Sequence, residues 1–418
     1  MSARGELFTF EAPLEQAAAA LAGDYTVAPT PTPTPTPGGA GAASAIAVRD
    51  ALDKLVCRIT VRSVPGPSHW LTLAPLRGYA QDGERIRSLL LGRGSFRSEE
   101  SWRSAAVPMH RGERADAAVV RVLSALLAIH DANLPGALAD SDPEFLHDLR
   151  VAIRRTRSVL RQMRGVFLPE RLEPVRGGLR WLQQQTGPTR DLDVYLQELA
   201  ELQALAPETM RAGLAPLEPL LEARRQLARA EMVAALTSPG TQALQAQWAE
   251  LLDAPAAGTD AERPVAALAA RRIRRVHRAI VRAGGALTPA TPPEAYHELR
   301  KQGKELRYLL ELFGMALFDQ EPVAALVRAL KDLQDVLGRH QDRAVQAAML
   351  REIGDELVAA PGGAAALMAI GTLVSRLEAE AADARGAFSQ RFEAFASEAQ
   401  CKLVSKLFAN DTEETTDG

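Results

Sequence analysis

The residues best placed to do chemistry lie between His147 and Arg164, in the run H-D-L-R-V-A-I-R-R-T-R-S-V-L-R-Q-M-R. On an α-helix each residue advances about 100°, so His147, Arg150, Arg154, Arg157 and Arg161 fall within roughly 80° of arc. One face is thus a cationic stripe headed by a histidine. Val151, Ile153, Val159, Leu160 and Met163 supply the apolar side chains that pack such a helix into a bundle. Like charges at this spacing repel one another, and Asp148 is the single acid in the run, so the helix does not neutralise itself. The stripe is either a solvated charged face or the wall of an anion site. In an anion site, guanidinium forks and imidazole N–H groups donate to phosphate or carboxylate oxygens.

The run recurs about 150 residues later as H-E-L-R-K-Q-G-K-E-L-R-Y-L-L-E-L-F, from His297 to Phe313. His147 pairs with His297, Arg150 with Arg300, Arg154 with Lys304 and Arg157 with Arg307, and those are the stripe positions. Arg161 and Arg164 are peripheral, because the second copy has Glu311 and Gly314 there. The following helix repeats as well. L-R-W-L-Q-Q-Q-T-G-P-T-R-D (Leu179 to Asp191) lies against L-K-D-L-Q-D-V-L-G-R-H-Q-D (Leu330 to Asp342), matching Arg180 with Lys331, Gln183 with Gln334, Gly187 with Gly338 and Asp191 with Asp342. Two Arg-rich helices could add to the site: one carries Arg224, Arg225 and Arg229, and the other presents Arg271, Arg275, Arg278 and Arg282 at i, i+4, i+7, i+11. Enclosing so many cations unpaired would cost several kcal/mol each, so a basic cavity between two such units makes physical sense only around an anion.

The elements that must position these side chains are long amphipathic helices, expected at roughly 113–132, 143–164, 170–186, 190–206, 215–236, 262–283, 292–314, 321–337, 341–359 and 363–408. Breaks fall at Pro135-Gly136, Pro169, Gly187-Pro188, Pro239-Gly240, Gly284-Gly285, Pro292-Pro293, Gly338 and Pro361-Gly362. The expected fold is mainly α: two pseudo-symmetric four-helix bundles in tandem, at about 113–250 and 260–408, within a helical domain over 111–408. Residues 1–110 read as a small α+β region, with a strand-like piece at Glu6–Phe10, an Ala-rich helix at 13–22, strands at Lys54–Val61 and His69–Leu76, a turn near Gly78 and a helix at 81–91. The P-T-P-T-P-T-P-T-P run at 29–37 is expected to be an extended polyproline spacer outside any core, and 409–418 an acidic disordered tail.

Composition narrows the class. Of 418 residues 47% are hydrophobic, 24% charged and only 5% aromatic, which favours a helical globular chain. Cys57 and Cys401 are far apart, so neither a disulfide framework nor a cysteine zinc site is indicated, and a cytoplasmic setting fits. The start carries Glu6, Glu11 and Glu15, and no apolar run approaches the length of a membrane span, so neither export nor insertion is expected. A net charge of −3 hides segregation: from Glu352 onward twelve acids face five Lys or Arg, leaving the rest net positive.

The two H-x-x-R helices, with T-G-P-T-R-D-L-D-V (Thr186 to Val194) and L-G-R-H-Q-D (Leu337 to Asp342), resemble the conserved-histidine α-helical domain family, CHAD, over about 113–408. The resemblance implies paired four-helix bundles with a basic cavity that binds inorganic polyphosphate, without catalysis, without a cofactor or metal, and with a possible association with polyphosphate granules. Carried over by position, the polyphosphate-binding residues are His147, Arg150, Arg154, Arg157, Arg180, Arg190, His297, Arg300, Lys304, Arg307 and Lys331. Spacing adds Arg271, Arg275 and Arg278. Glu305 departs from the family pattern, where another Lys is common, and lies beside the stripe. Residues Lys54 to Leu91 resemble the rear half of a triphosphate-tunnel (CYTH) domain in degenerate form; its E-x-E-x-K signature is absent from residues 1–28, which argues against triphosphatase activity.

Two rival functions remain on the residues alone. His130-Asp131, His147-Asp148, Asp191 and Asp342 would serve a metal-dependent phosphohydrolase, although an Arg-rich stripe repels divalent cations. A basic groove also attracts nucleic acid, but no aromatic platform is interleaved with the cations. Asp191 and Asp342 read either as first-turn helix stabilisers or as groups that orient a stripe arginine, and His340 reads as a loop residue.

Overall fold

The computed structural model describes residues 7–10, 21–22, 24–30, 43–63, 69–75, 79–91, 96–98, 107–140, 143–253, 257–288, 290–358 and 362–409. The chain is mainly α-helical with a small α+β region at its start, as its composition and periodicity imply. It divides into two compact units, neither of them contiguous in sequence. The first comprises 1–107, 121–156 and 238–252; the second comprises 108–120, 157–237 and 253–418.

In the first unit, β1 (Leu7–Phe10), β2 (Thr26–Thr30), β3 (Ala43–Arg49), β4 (Leu55–Ser63), β5 (His69–Pro75) and β6 (Phe96–Ser98) form one sheet in the order β2-β3-β4-β5-β1-β6, every neighbouring pair antiparallel. Helix α1 (Ala80–Leu91) brings Ile86 and Leu90, one turn apart, into a core with Val48, Val56, Ile59 and Leu73. The expected strands and helix in 54–91 are therefore present, and β1 occupies the alternating piece near the start. The sequence reading missed β2, β3 and β6, because Ala-rich A-S-A-I-A-V-R carries little β signal and three residues carry none. It also misplaced the head of the Pro-Thr run. Pro29 and Thr30 end β2, opposite Ile46 and Ala45, on an edge strand, where proline is tolerated. Residues 31–37, residues 13–20 of the helix expected at 13–22, the turn near Gly78 and the tail from 410 lie outside the described residues.

The long helices follow: α2 (Ala115–Ala139), α3 (Pro143–Gln162), α4 (Pro169–Gln185), α5 (Gly187–Ala204), α6 (Leu217–Leu236), α7 (Pro239–Asp253), α8 (Val265–Gly285), α9 (Pro293–Leu309), α10 (Gln320–Leu357), α11 (Gly363–Gly386), α12 (Phe388–Phe395) and α13 (Glu398–Leu407). Three boundaries correct the sequence reading. Helix α2 runs through Pro135 and ends only at Asp140, which takes a positive φ of 54°. Gly136 lets this helix lie against the Phe145 ring, because a Cβ there would sit 2.3 Å from a ring carbon. Gly338 does not end a helix, whereas its counterpart Gly187 does. Pro188 follows Gly187 and lacks a backbone donor, while Arg339 follows Gly338 and continues the hydrogen-bond ladder. Helix α7 was not foreseen. Its Trp248 is fully buried, with the ring centroid 5.7 Å from that of His130.

Helix α2 also alters the hydropathy picture. It contains an 18-residue window of mean hydropathy 1.4, long and apolar enough to cross a membrane, though half of that window is buried within the protein. In the second unit, Leu199 and Leu202 of α5, Leu217 and Leu221 of α6, Leu350 and Ile353 of α10 and Ile370 and Leu373 of α11 share one core.

Candidate functional site

Helix α3 belongs to both units: residues 143–156 lie in the first and 157–162 in the second. In the first unit its apolar face, Leu146, Leu149, Ala152 and Ile153, is buried, which holds the stripe at partial exposure. His147 and Arg154 are half-buried and Arg150 is 9% exposed. The Arg154 Nε is buried with no hydrogen-bond partner among the described residues. Glu144 stands one turn before His147 and Asp148 directly follows it, and the ligand-capable atoms of the three lie within 4.8 Å of one another. The stripe's head is thus flanked by acids, and this trio would suit a cation better than an anion.

In the second unit the last turns of α3 face α4 and α9. Arg157 donates to the Gln183 side-chain carbonyl on α4. Its guanidinium is held below the ordinary arginine range, first by burial and then by the like charges of Arg180, Arg161 and Arg176. Burial and Arg176 act on Arg161 in the same direction, with Glu298 opposing. Three guanidinium groups therefore press on Arg157 and one of them, Arg176, also on Arg161, while Arg176 is itself ion-paired with Glu173. Arg161 is nonetheless ion-paired with Glu305, which also accepts from Gln162 Nε2 at 2.8 Å. Glu305, the departure from the family pattern, is what joins the two repeated helices.

On α9 the second stripe is half-buried throughout, at His297, Arg300, Lys304 and Arg307. His297 Nδ1 is buried with no hydrogen-bond partner among the described residues. Arg300 Nη2 lies 3.3 Å from Asp342 Oδ1, and Arg307 is 3.5 Å from Glu311 with its guanidinium 5.6 Å from the centre of the Tyr308 ring. The face of α10 toward α9 is built from Gln334, Gly338 and Asp342 at helical spacing. Gln334 packs at Gly303, where a Cβ would come within 3.2 Å of its Nε2, and Gly338 stands 3.6 Å from Arg300 Nη2 by the same measure. Lys331 continues that face and is exposed. In both copies a glutamine from the following helix therefore reaches the stripe helix.

Asp342 lies inside continuous α10, so it is no first-turn residue; of the two readings of this position the structure fits the one that orients a stripe arginine. His340 is likewise not in a loop. It is buried in α10 and its Nδ1 lies 3.0 Å from the Ala381 carbonyl.

The remaining candidates are spread more widely. Arg180 is exposed on α4 and Arg190 half-buried on α5. On α8, Arg271 is bound by both oxygens of the buried Asp260 at 3.0 Å, with Arg272 at 3.4 Å and Arg263 at 2.9 Å from the same carboxylate. Arg275 and Arg278 are exposed, and Arg278 Nε reaches the Arg274 carbonyl at 3.4 Å. Spacing had grouped Arg271 with these two; Asp260, near Arg271 only through the tertiary fold, separates it from them. Arg176 was missed. Its place four residues before Arg180 was the available signal.

Comparison with known proteins fits this arrangement. A model of the CHAD domain matches residues 121–351, more than half of the chain. Two uncharacterized proteins of Mycobacterium tuberculosis, from strains CDC 1551 and H37Rv, are each 30% identical over 211 residues, covering 48% of this chain; that stretch spans only 38% of their length. The crystal structure of the CHAD domain from the plant Ricinus communis superposes with a TM-score of 0.57 at 24% identity, covering 70% of this chain and 96% of that one. PptA from Streptomyces chartreusis gives 0.52 at 21% identity, covering 67% and 100% respectively. With its doubled basic helices, its helical fold and the extent of the family match, the chain belongs to the CHAD domain family.

Proposed function

We propose that this chain binds inorganic polyphosphate on its two repeated basic helices and does not cleave it. The observation that carries this reading is the set Arg157, Arg161, Arg176 and Arg180, in which partial burial and then neighbouring guanidinium groups disfavour the charged form of Arg157 and Arg161. Such an arrangement is relieved by a polyanion, which replaces lost hydration with charge-assisted hydrogen bonds. His297, Arg300, Lys304, Arg307 and Lys331 extend the same chemistry along α9 and α10, and His147, Arg150 and Arg154 along α3. Arg190, Arg275 and Arg278 are the outlying contacts, and Arg271 contributes least because Asp260 holds it. Partial exposure suits a polymer that must thread along the helices rather than a small ligand that must be enclosed.

Binding of this kind is dominated by counterion release. The logarithm of the affinity should fall by about 0.7 per unit of log salt for each phosphate neutralised, if single-strand behaviour transfers. The test is a titration of the full chain with long and short polyphosphate at two salt concentrations. A salt-independent affinity, or unchanged binding after Arg157→Ala with Arg300→Ala, refutes the proposal.

A second reading, a metal-dependent phosphohydrolase, is favoured by one observation, the Glu144, His147 and Asp148 trio. Phosphate release from polyphosphate or triphosphate with added Mg²⁺ or Mn²⁺, lost on Asp148→Asn, would establish it over simple binding. For the N-terminal sheet, we read a degenerate triphosphate-tunnel domain; its antiparallel strands support that descent, and the missing E-x-E-x-K signature argues against activity.

A further inference from the structure

The two copies of the basic unit differ in charge at matched positions. The end of the first stripe, Arg157 and Arg161 on α3, meets Arg176 and Arg180 on α4. Arg157 donates to the Gln183 side chain, which fixes α3 against the α4 face that carries Arg176, Arg180 and Gln183 at i, i+4, i+7. Continuing the alignment of the repeats, the same four positions in the second copy are Arg307, Glu311, Val327 and Lys331. Four positive charges in the first copy are thus answered by two positive charges, one negative charge and one neutral residue in the second.

The structure turns that difference into pairing. In the second copy Glu311 follows Arg307 by one turn and lies 3.5 Å from it, and the Arg307 guanidinium stands 5.6 Å from the centre of the Tyr308 ring. In the first copy the residue one turn after Arg157 is Arg161, a like charge, and the partner of Arg157 is a neutral amide. Two acids do reach this end: Glu305 pairs with Arg161 and Glu173 with Arg176. Arg157 and Arg180 have no carboxylate partner among the described residues. Arg161 and Arg180 are exposed while Arg157 and Arg176 are half-buried, so a ligand in solution can reach the cluster.

We infer that the duplicated site is unequal: Arg157, Arg161, Arg176 and Arg180 form one tight subsite for a short linear polyphosphate, tripolyphosphate being the simplest, and Glu311 closes the corresponding place in the second copy. The inference rests on the polyphosphate reading above and narrows it to one half of the repeat. Adjacent phosphate groups bring several oxygens to guanidinium donors on two helices at once, so repulsion among the cations is exchanged for charge-assisted hydrogen bonds. At the second copy a ligand must displace a carboxylate from Arg307 and is itself repelled by that carboxylate.

The test is calorimetric titration of the full chain with tripolyphosphate in dilute salt, beside long polyphosphate. One tripolyphosphate per chain is expected in spite of the duplication. Arg180 and Lys331 are matched and exposed, so replacing either by Gln should leave folding undisturbed. Arg180→Gln should weaken tripolyphosphate about tenfold, the worth of one charge-assisted hydrogen bond, and Lys331→Gln by no more than about twofold. Glu311→Gln keeps the side-chain shape, releases Arg307 and should add a second, weaker binding event. The inference is overturned if tripolyphosphate binds two equal sites, or none while long polyphosphate binds, if Lys331→Gln costs as much as Arg180→Gln, or if Glu311→Gln leaves a single event. Failure of long polyphosphate to bind the unsubstituted chain would instead defeat the polyphosphate reading itself, and this inference with it.

Discussion

Replacing Arg180 by Gln should do two opposite things, and the structure sets the size of each. Arg180 is exposed on α4, and after burial itself its charge is the strongest influence on Arg157. Arg157 would be a poor choice for the same experiment, because it donates to Gln183 and its loss would remove a hydrogen bond as well as a charge. Removing Arg180 relieves like-charge repulsion worth about 0.2–0.5 kcal/mol per pair at low ionic strength. The unliganded protein should therefore be more stable by about that amount in dilute salt. The gain should vanish in 1 M salt, where the Debye length shrinks to about 3 Å. Polyphosphate affinity should move the other way, with the salt slope losing about 0.7 for the one contact removed. Urea unfolding at two salt concentrations, read as a midpoint shift at constant slope, gives the first quantity, and salt-dependent titration gives the second. If Arg180→Gln destabilises the protein in dilute salt, or leaves the salt slope unchanged, the electrostatic account of this cluster is wrong.

Other outcomes follow from neighbouring features. Asp342→Asn removes an exposed acid 3.3 Å from Arg300 and should raise polyphosphate affinity about two- to fivefold in dilute salt, measured by the same titration. Asp260→Ala strands three arginines around a nearly buried carboxylate position and should cost about 3–5 kcal/mol of unfolding free energy in urea. His277 is buried against Phe395, and burial pushes its pKa down from 6.5 to about 4, so the folded state holds the neutral ring. Its stabilising contribution is complete above about pH 6.5 and is lost as pH falls toward 4, at up to about 1.4 kcal/mol per pH unit; His277→Phe should flatten that part of the stability profile. Gly284→Ala would place a Cβ 2.1 Å from the Phe392 ring and should lower the melting temperature through about 1–3 kcal/mol of overpacking.

Much of the site was legible because helical period and duplication are local properties of the chain. The cationic stripes of α3 and α9 needed only the 100° step, and the match of Arg180 with Lys331 needed only alignment of the chain with itself. Boundaries were less legible. The two copies share a glycine, and only the residue after it, Pro188 in one and Arg339 in the other, decides whether the helix stops. In the N-terminal region, Ala-rich β3 carries little β signal, and cross-strand pairing with β2 and β4 overrides its weak propensity.

The sequence by itself determined the helical class, the duplicated basic faces and membership of a family, since these depend on residue type and spacing. Only the tertiary structure decided which of those cations retain their charge for a ligand. Asp260, distant along the chain from Gly165 and eleven residues before Arg271, gathers three arginines; Glu305 takes Arg161 from 144 positions away; Asp342 reaches back to Arg300. The same is true of His340, read from spacing as a loop residue, which α10 buries against the Ala381 carbonyl of α11. Partnering of charge depends on through-space distance in a low-dielectric setting, and spacing along a chain carries that information only within a turn or two of helix.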